Sequence, residues 1–294
     1  MYKSWKHIKR CPMKVREIVS LTKPKITALN IFTAVASFLL AGGNLATMHH
    51  LIIAGYFSVG GASALNHVLD ADIDGKMRRT AKRPLPAGRI KAKTAFIIGL
   101  GMVIFSVSYS VVFLNLVASV FILLGALIYV LVYTLWLKRR SVWNIVIGGA
   151  AGSCAPLAGW AATGQELSLL PWLLALLVFL WTPGHFWALA SRAVKDYEAA
   201  GVPMLPVKYG VVFTSKASLI SNLVTVAAAL AIAFTISQPI LYLLLVAPVS
   251  TCLIYESIKP CINYSPQAAW KAFKISSPWL FVVFAAALVA NTIA

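Results

Sequence analysis

Acidic side chains are scarce in this chain. Eight Asp and Glu stand against 26 Lys and Arg in 294 residues, a formal charge of +18. An excess of that size raises nucleic acid as a partner, but its distribution excludes that reading. Lys and Arg are absent from residues 26–69, 94–137, 141–191 and 217–255, where the sole acid is Glu166. The cations sit in short clusters between these uncharged blocks rather than along one basic face. Only 12% of residues are charged and 60% are hydrophobic, which is too apolar for a soluble domain. Cysteine is sparse too: Cys11, Cys154, Cys252 and Cys261 have no metal or redox spacing and read as ordinary thiols.

What is there is a set of membrane spans. Each uncharged block holds two spans of about 20 residues, and residues 275–294 hold one more. The sequence therefore predicts an all-α, polytopic membrane protein with nine transmembrane helices. Turn signals fall mid-block at Gly42-Gly43-Asn44, Asn115, Gly164-Gln165 and Gln238-Pro239. Every Lys and Arg falls on one side of this layout, so the N-terminus is expected in the cytoplasm and the C-terminus outside. Residues 1–25 are expected to form a basic interfacial segment on anionic lipid, with Trp5 at headgroup level. Residues 26–294 form the membrane domain, with cytoplasmic loops at about 70–93 and 191–216. No cleavable signal is expected, because the first span is needed for the count. The run Gly60-Gly61-Ala62-Ser63-Ala64 in the second span reads as helix packing. Cys11-Pro12 matches the short motif of haem-regulated proteins, but a dipeptide is very weak evidence.

The few acids are not scattered. Asp70, Asp72 and Asp74 lie within five positions at the end of the second span, and Asp196 and Glu198 follow the sixth. Asn66, Asp70 and Asp74 are spaced by four, so on a helix they share one face. Asp72 points elsewhere and, like Glu198, reads as a solvated loop charge. Carboxylates at the mouth of a membrane helix, followed by eight cations between Lys76 and Lys93, suggest Mg²⁺ and a phosphorylated ligand. Mg²⁺ takes oxygen ligands, keeps waters and is commonly shared with substrate phosphates. An apolar bundle below a diphosphate site suggests a lipid tail and shielding of a carbocation from water. The two acidic clusters are four spans apart on the same side, which suggests two four-helix halves facing each other plus a ninth helix.

The stretch Asn66-x₃-Asp70-x₃-Asp74, with Arg79-Thr80, Arg83-Pro84-Leu85-Pro86 and Gly88, resembles the first aspartate motif of the intramembrane polyprenyltransferases. The match is narrowest to their haem-prenylating branch. It rests on Thr22-Lys23-Pro24-Lys25, on Tyr133–Gly152 with Pro156 and Gly159-Trp160, on His185-Phe186-Trp187, on Asp196–Pro206 and on Ala269–Leu280. The resemblance implies that farnesyl diphosphate ionises with Mg²⁺, that its farnesyl carbon bonds to a vinyl group of haem b, and that water quenches the cation. It implies a metal set of Asn66, Asp70, Asp74 and Asp196. Asp70, Asp74 and Asp196 are the catalytic members, and Arg79, Arg83 and Lys138 contact phosphate oxygens. His185, and more weakly His67, are candidate ligands of haem iron. The expected partners are farnesyl diphosphate, haem b and membrane lipid, with haem A synthase or cytochrome oxidase assembly proteins downstream. The expected location is a bacterial inner membrane.

Three positions depart from the family pattern. His67 stands where many members carry another Asp, Arg192 stands four residues before Asp196, and Ser153-Cys154-Ala155 precedes Pro156 where a second proline is expected. A symmetric two-metal site is therefore not implied. The alternatives are a prenyltransferase acting on an aromatic quinone precursor and an ion-coupled transporter. The transporter is disfavoured because the carboxylates fall at helix ends rather than at the midplane.

Overall fold

The computed structural model describes residues 15–292, and among these every regular element is a helix. In chain order they are α1 (Val15–Leu21), α2 (Pro24–Leu40), α3 (Leu45–Leu69), α4 (Ala71–Asp74), α5 (Ala92–Phe113) and α6 (Leu116–Leu127). Then come α7 (Asn144–Gly148), α8 (Ala150–Ala161), α9 (Leu169–Arg192), α10 (Val194–Ala199), α11 (Leu205–Ala231), α12 (Pro239–Ile262) and α13 (Pro266–Thr292). Helix α6 continues without a break as a π-helix over Ile128–Leu137. Trp5 and Cys11-Pro12 lie outside the described residues.

Among the described residues seven helices are long and apolar enough to cross a membrane. The other two expected spans are present as helix but differ in form. Helix α2 has 17 residues, or about 25 Å against a hydrocarbon core of about 30 Å. The fifth runs as α7 and α8, joined through Gly149, whose backbone stays helical at φ −57 and ψ −28. The four mid-block turns fall where the residues signal them. Asn44 caps α3 by accepting from Thr47 N, and Asn115 caps α6 by accepting from Ala118 N, each at 2.8 Å. Helix α12 starts on Pro239, where a missing N–H costs nothing.

The second polar loop is shorter than expected. Helix α9 runs through Pro183 to Arg192, where the loop is expected to start, but α11 already begins at Leu205. Proline is tolerated in α9 because the neighbouring backbone finds another partner: Gly184 N–H donates to Ser221 Oγ of α11 at 3.1 Å. Gly210, at φ 79, bends α11 near its start.

The small residues of α3 do serve packing. A Cβ on Gly61 would stand 2.7 Å from the Gly99 carbonyl of α5, so the two backbones touch. One apolar core, with Trp181, Tyr242, Trp279 and Phe284, joins α9, α12 and α13. A second, with Ile73, Met77, Tyr133, Ile145, Trp187, Tyr197 and Met204, underlies the polar loops. The described part of the N-terminal segment is tied to the first loop, where Arg89 Nε donates to Glu17 at 3.0 Å.

Candidate active site

The face-sharing residues Asn66, Asp70 and Asp74 come together at the end of α3, each no more than 2% exposed. Burying carboxylates demands partners, and the chain supplies cations from three directions. Lys138, just past the π-helix, pairs with Asp70 Oδ2. Arg83 of the first loop pairs with Asp74 Oδ2 at 2.6 Å. Lys23, at the start of α2, donates to Asn66 Oδ1 at 2.5 Å and to Tyr129 OH at 2.9 Å. The Asn66 amide nitrogen donates to Asp70 Oδ2 at 2.7 Å and to Thr134 Oγ1 at 3.0 Å. The π-helix brings Tyr129, Thr134 and Lys138 to this one point, and such local rewinding recurs at functional sites.

Two electrostatic features stand out. First, Asp70 Oδ1 is buried with no hydrogen-bond partner, while Oδ2 takes two donors. Second, cations outnumber anions. Burial, with Arg83 adding to it, lowers the Lys23 ammonium to about 7, while Asp70 and Asp74 oppose the shift. The site is short of negative charge and suits an anionic ligand.

Asp196 meets the first loop rather than the Asp70 carboxylate. Its two oxygens accept the backbone N–H groups of Arg78 and Arg79, at 3.2 and 3.3 Å. The Arg79 guanidinium reaches Tyr197 OH at 3.4 Å. The two polar loops are thus joined on one side of the bundle. Asp72 is apart from the site: Arg139 grips both its oxygens at 2.7 and 2.8 Å. That hydrogen bonding holds the Asp72 carboxyl below its ordinary value, and with 59% of its side chain exposed the pair is a surface one. Glu198 is exposed.

The histidines divide. His67 is 2% exposed, and neither ring nitrogen has a partner. His185 lies against a different part of the bundle, stacked on Trp181 at 4.2 Å and beside Phe273 at 4.4 Å. Its Nδ1 meets Ser276 Oγ at 2.5 Å, and Ser276 gives its own hydrogen to the Phe273 carbonyl at 2.8 Å. The Ser276 contact at Nδ1 orients the ring and leaves Nε2 outside that bond.

Among the described residues no three Asp, Glu, His or Cys side chains converge as a ready metal cage. Mg²⁺ in general uses one or two carboxylates and completes its shell with waters and substrate phosphates. The unpartnered Asp70 Oδ1 supplies an oxygen for it.

Spacing from the acidic motif does not single out Lys23, Tyr129 or Thr134. Thr134 stands four residues before Lys138, a helix-face signal that does point to it. Lys23 is marked only as part of Thr22-Lys23-Pro24-Lys25, which gives it no link to Asn66.

The chain matches the UbiA prenyltransferase family over residues 30–291. It is 43% identical over 282 residues to Protoheme IX farnesyltransferase 1 of Cenarchaeum symbiosum, covering 93% of this chain and 95% of that protein. It is 38% identical over 288 residues to Protoheme IX farnesyltransferase of Sulfurisphaera tokodaii, covering 95% and 94%. Among solved structures it is similar to a digeranylgeranylglyceryl phosphate synthase, with TM-score 0.76, 20% identity and coverage of 95% and 99%. It is also similar to a UbiA homologue from Archaeoglobus fulgidus bound to GPP and Mg²⁺, with TM-score 0.67, 17% identity and coverage of 93% and 99%.

Proposed function

Because the chain belongs to the UbiA prenyltransferase family, we propose that this buried, cation-rich carboxylate site transfers the farnesyl group of farnesyl diphosphate to haem b, giving haem o and diphosphate. The observation that carries the reading is Asp70, fully buried, with one oxygen free and Lys138, Arg83 and Lys23 around its motif. The names of the relatives from Cenarchaeum symbiosum and Sulfurisphaera tokodaii support haem as the acceptor. The Archaeoglobus fulgidus homologue, bound to GPP and Mg²⁺, supports an allylic diphosphate and a metal.

Asp70 and Asp74 would hold Mg²⁺; Asn66, its Oδ1 engaged by Lys23, would orient Asp70, and Asp196, its oxygens on the Arg78 and Arg79 N–H groups, would hold the first loop from the facing side. Bound there, the metal neutralises charge on the departing diphosphate. Lys138 and Arg83 now pair with these carboxylates. Lys138, Arg83 and Arg79 would contact the phosphate oxygens of the bound diphosphate. The carbon–oxygen bond to diphosphate breaks and leaves an allylic cation, which the apolar bundle shields from water. A vinyl group of haem b supplies the electron pair for the new carbon–carbon bond. Water adds to the other vinyl carbon and loses a proton. His185 offers Nε2 to the haem iron, its ring orientation set by Ser276.

The nine-helix reading keeps α2 and the α7–α8 pair as spans, with the N-terminus and both polar loops cytoplasmic and the C-terminus outside. The membrane is that of a prokaryotic cell. The sequence expectation is a bacterial inner membrane, whereas the Cenarchaeum symbiosum relative is archaeal, so the proposal is a prokaryotic cell membrane of either kind. A haem carrying a farnesyl tail stays in lipid, so its consumer is a membrane protein such as haem A synthase or an oxidase assembly factor. The test is release of pyrophosphate by purified protein given farnesyl diphosphate, haem b and Mg²⁺. Release that stops with EDTA supports the reading, and no release from folded protein overturns it.

A further inference from the structure

We infer that Lys23 is a positioning residue for Asp70, acting through the Asn66 amide; the inference rests on the Mg²⁺ reading of the site. Lys23 is the sole non-glycine residue with positive φ among the described residues, at φ 47 and ψ 64. That left-handed backbone is unfavourable for a residue with a Cβ. Pro24 follows and disfavours a helical conformation at Lys23, so α2 cannot simply extend backward. The chain turns instead, and the Lys23 side chain reaches α3 and the π-helix. Backbone strain of this kind persists where the surroundings over-determine it, and it gathers at functional sites.

The hydrogen bonds leave Asn66 no freedom. An ionised carboxylate only accepts, so the amide nitrogen must face Asp70 Oδ2, at 2.7 Å. Thr134 Oγ1 gives its hydrogen to the Tyr129 carbonyl at 2.8 Å, so it too accepts from that nitrogen, at 3.0 Å. Asn66 Oδ1 is thereby turned to Lys23, which donates to it at 2.5 Å. With Lys23 removed, Oδ1 is a buried carbonyl without a partner, and an amide turned the other way would set oxygen against carboxylate. Lys23 therefore keeps the amide oriented, the amide keeps Asp70 Oδ2 engaged, and Asp70 Oδ1 stays free for the metal. Residues one step outside a metal's own ligands commonly act in this way.

A lysine acting only as a nearby charge makes the opposite prediction. It would repel a divalent cation, so removing it would tighten binding of the metal alone. The test is a titration with Mn²⁺ alone, followed by electron paramagnetic resonance, on the full chain in detergent. Lys23→Met and, separately, Lys23→Ala are expected to weaken Mn²⁺ binding about 10–100-fold. Lys23→Arg, which keeps donors at that position, is expected to lose less. Asn66→Ala and the Lys23→Met/Asn66→Ala double variant are expected to bind alike, because both effects pass through one amide. Unchanged or tighter binding in Lys23→Met and Lys23→Ala overturns the inference. So does a double variant whose loss equals the two single losses combined. Failure of the unsubstituted protein to bind Mn²⁺ would instead bring down the metal reading on which this rests.

Discussion

Asp196 and Arg79, 117 positions apart, are joined where a carboxylate oxygen of the first accepts the backbone N–H of the second at 3.3 Å. The other oxygen takes the Arg78 N–H at 3.2 Å. Arg79 and Arg83 lie on the loop that this contact fastens. The bond thus links the second polar loop to the loop that carries Arg79 and Arg83.

Asp196→Ala removes both acceptors and frees the first loop. Trypsin is expected to cut after Lys76, Arg78 or Lys82 faster than in the unsubstituted protein, because local opening exposes the chain. Limited proteolysis in detergent without metal reads this directly. An unchanged cleavage rate would mean that the loop is held by other contacts.

Lys138→Met leaves Asp70 as a buried charge with its main cation gone. Breaking a buried pair on one side costs about 3–5 kcal/mol, so a large fall in thermal midpoint is expected. The double variant Lys138→Met/Asp70→Asn is expected to recover most of that stability and none of the activity. Equal midpoints for the two variants would show that the pair is not the source of the loss.

His185→Ala is expected to abolish the shift of the haem b Soret band on titration into the protein, whereas Ser276→Ala weakens it by loosening the ring. His67→Ala, whose ring has no partner to orient it, is expected to leave the shift in place. A Soret shift retained in His185→Ala and lost in His67→Ala would reassign the iron ligand.

Gly159→Ala tests the approach of α8 to α2. Its added Cβ would clash with the Ala34 carbonyl and stand 2.7 Å from the carbonyl carbon. Overpacking of this kind costs about 1–3 kcal/mol or more. Gly101→Ala, with open space at its Cβ, is the matched control. Equal thermal midpoints for the two variants would argue against this packing.

Much of this molecule is legible in its sequence because membrane physics acts locally. Uncharged blocks mark helices, and Asn44 and Asn115 mark their turns through caps built from the next few residues. The four-residue spacing of Asn66, Asp70 and Asp74 likewise places them on one helix face. What escapes a local reading is set by contacts distant in sequence. Lys23 meets Asn66 across 43 positions through a left-handed turn that its side-chain type does not announce. Asp196 binds backbone amides, which nearly every residue carries, so the identity of its partners is not written in side chains. Helix α9 crosses Pro183 because Ser221 of another helix satisfies the backbone beside it.

The central claim is the reaction itself, and the mass of the product tests it most directly. Purified protein would receive haem b, farnesyl diphosphate and Mg²⁺, beside an Asp70→Ala control and an EDTA control. The account predicts a haem whose mass has gained one farnesyl group and one hydroxyl from water, formed only by the intact protein with metal. A folded protein that leaves haem b unchanged would contradict haem as acceptor. The same haem product formed at full rate by Asp70→Ala would contradict the metal site.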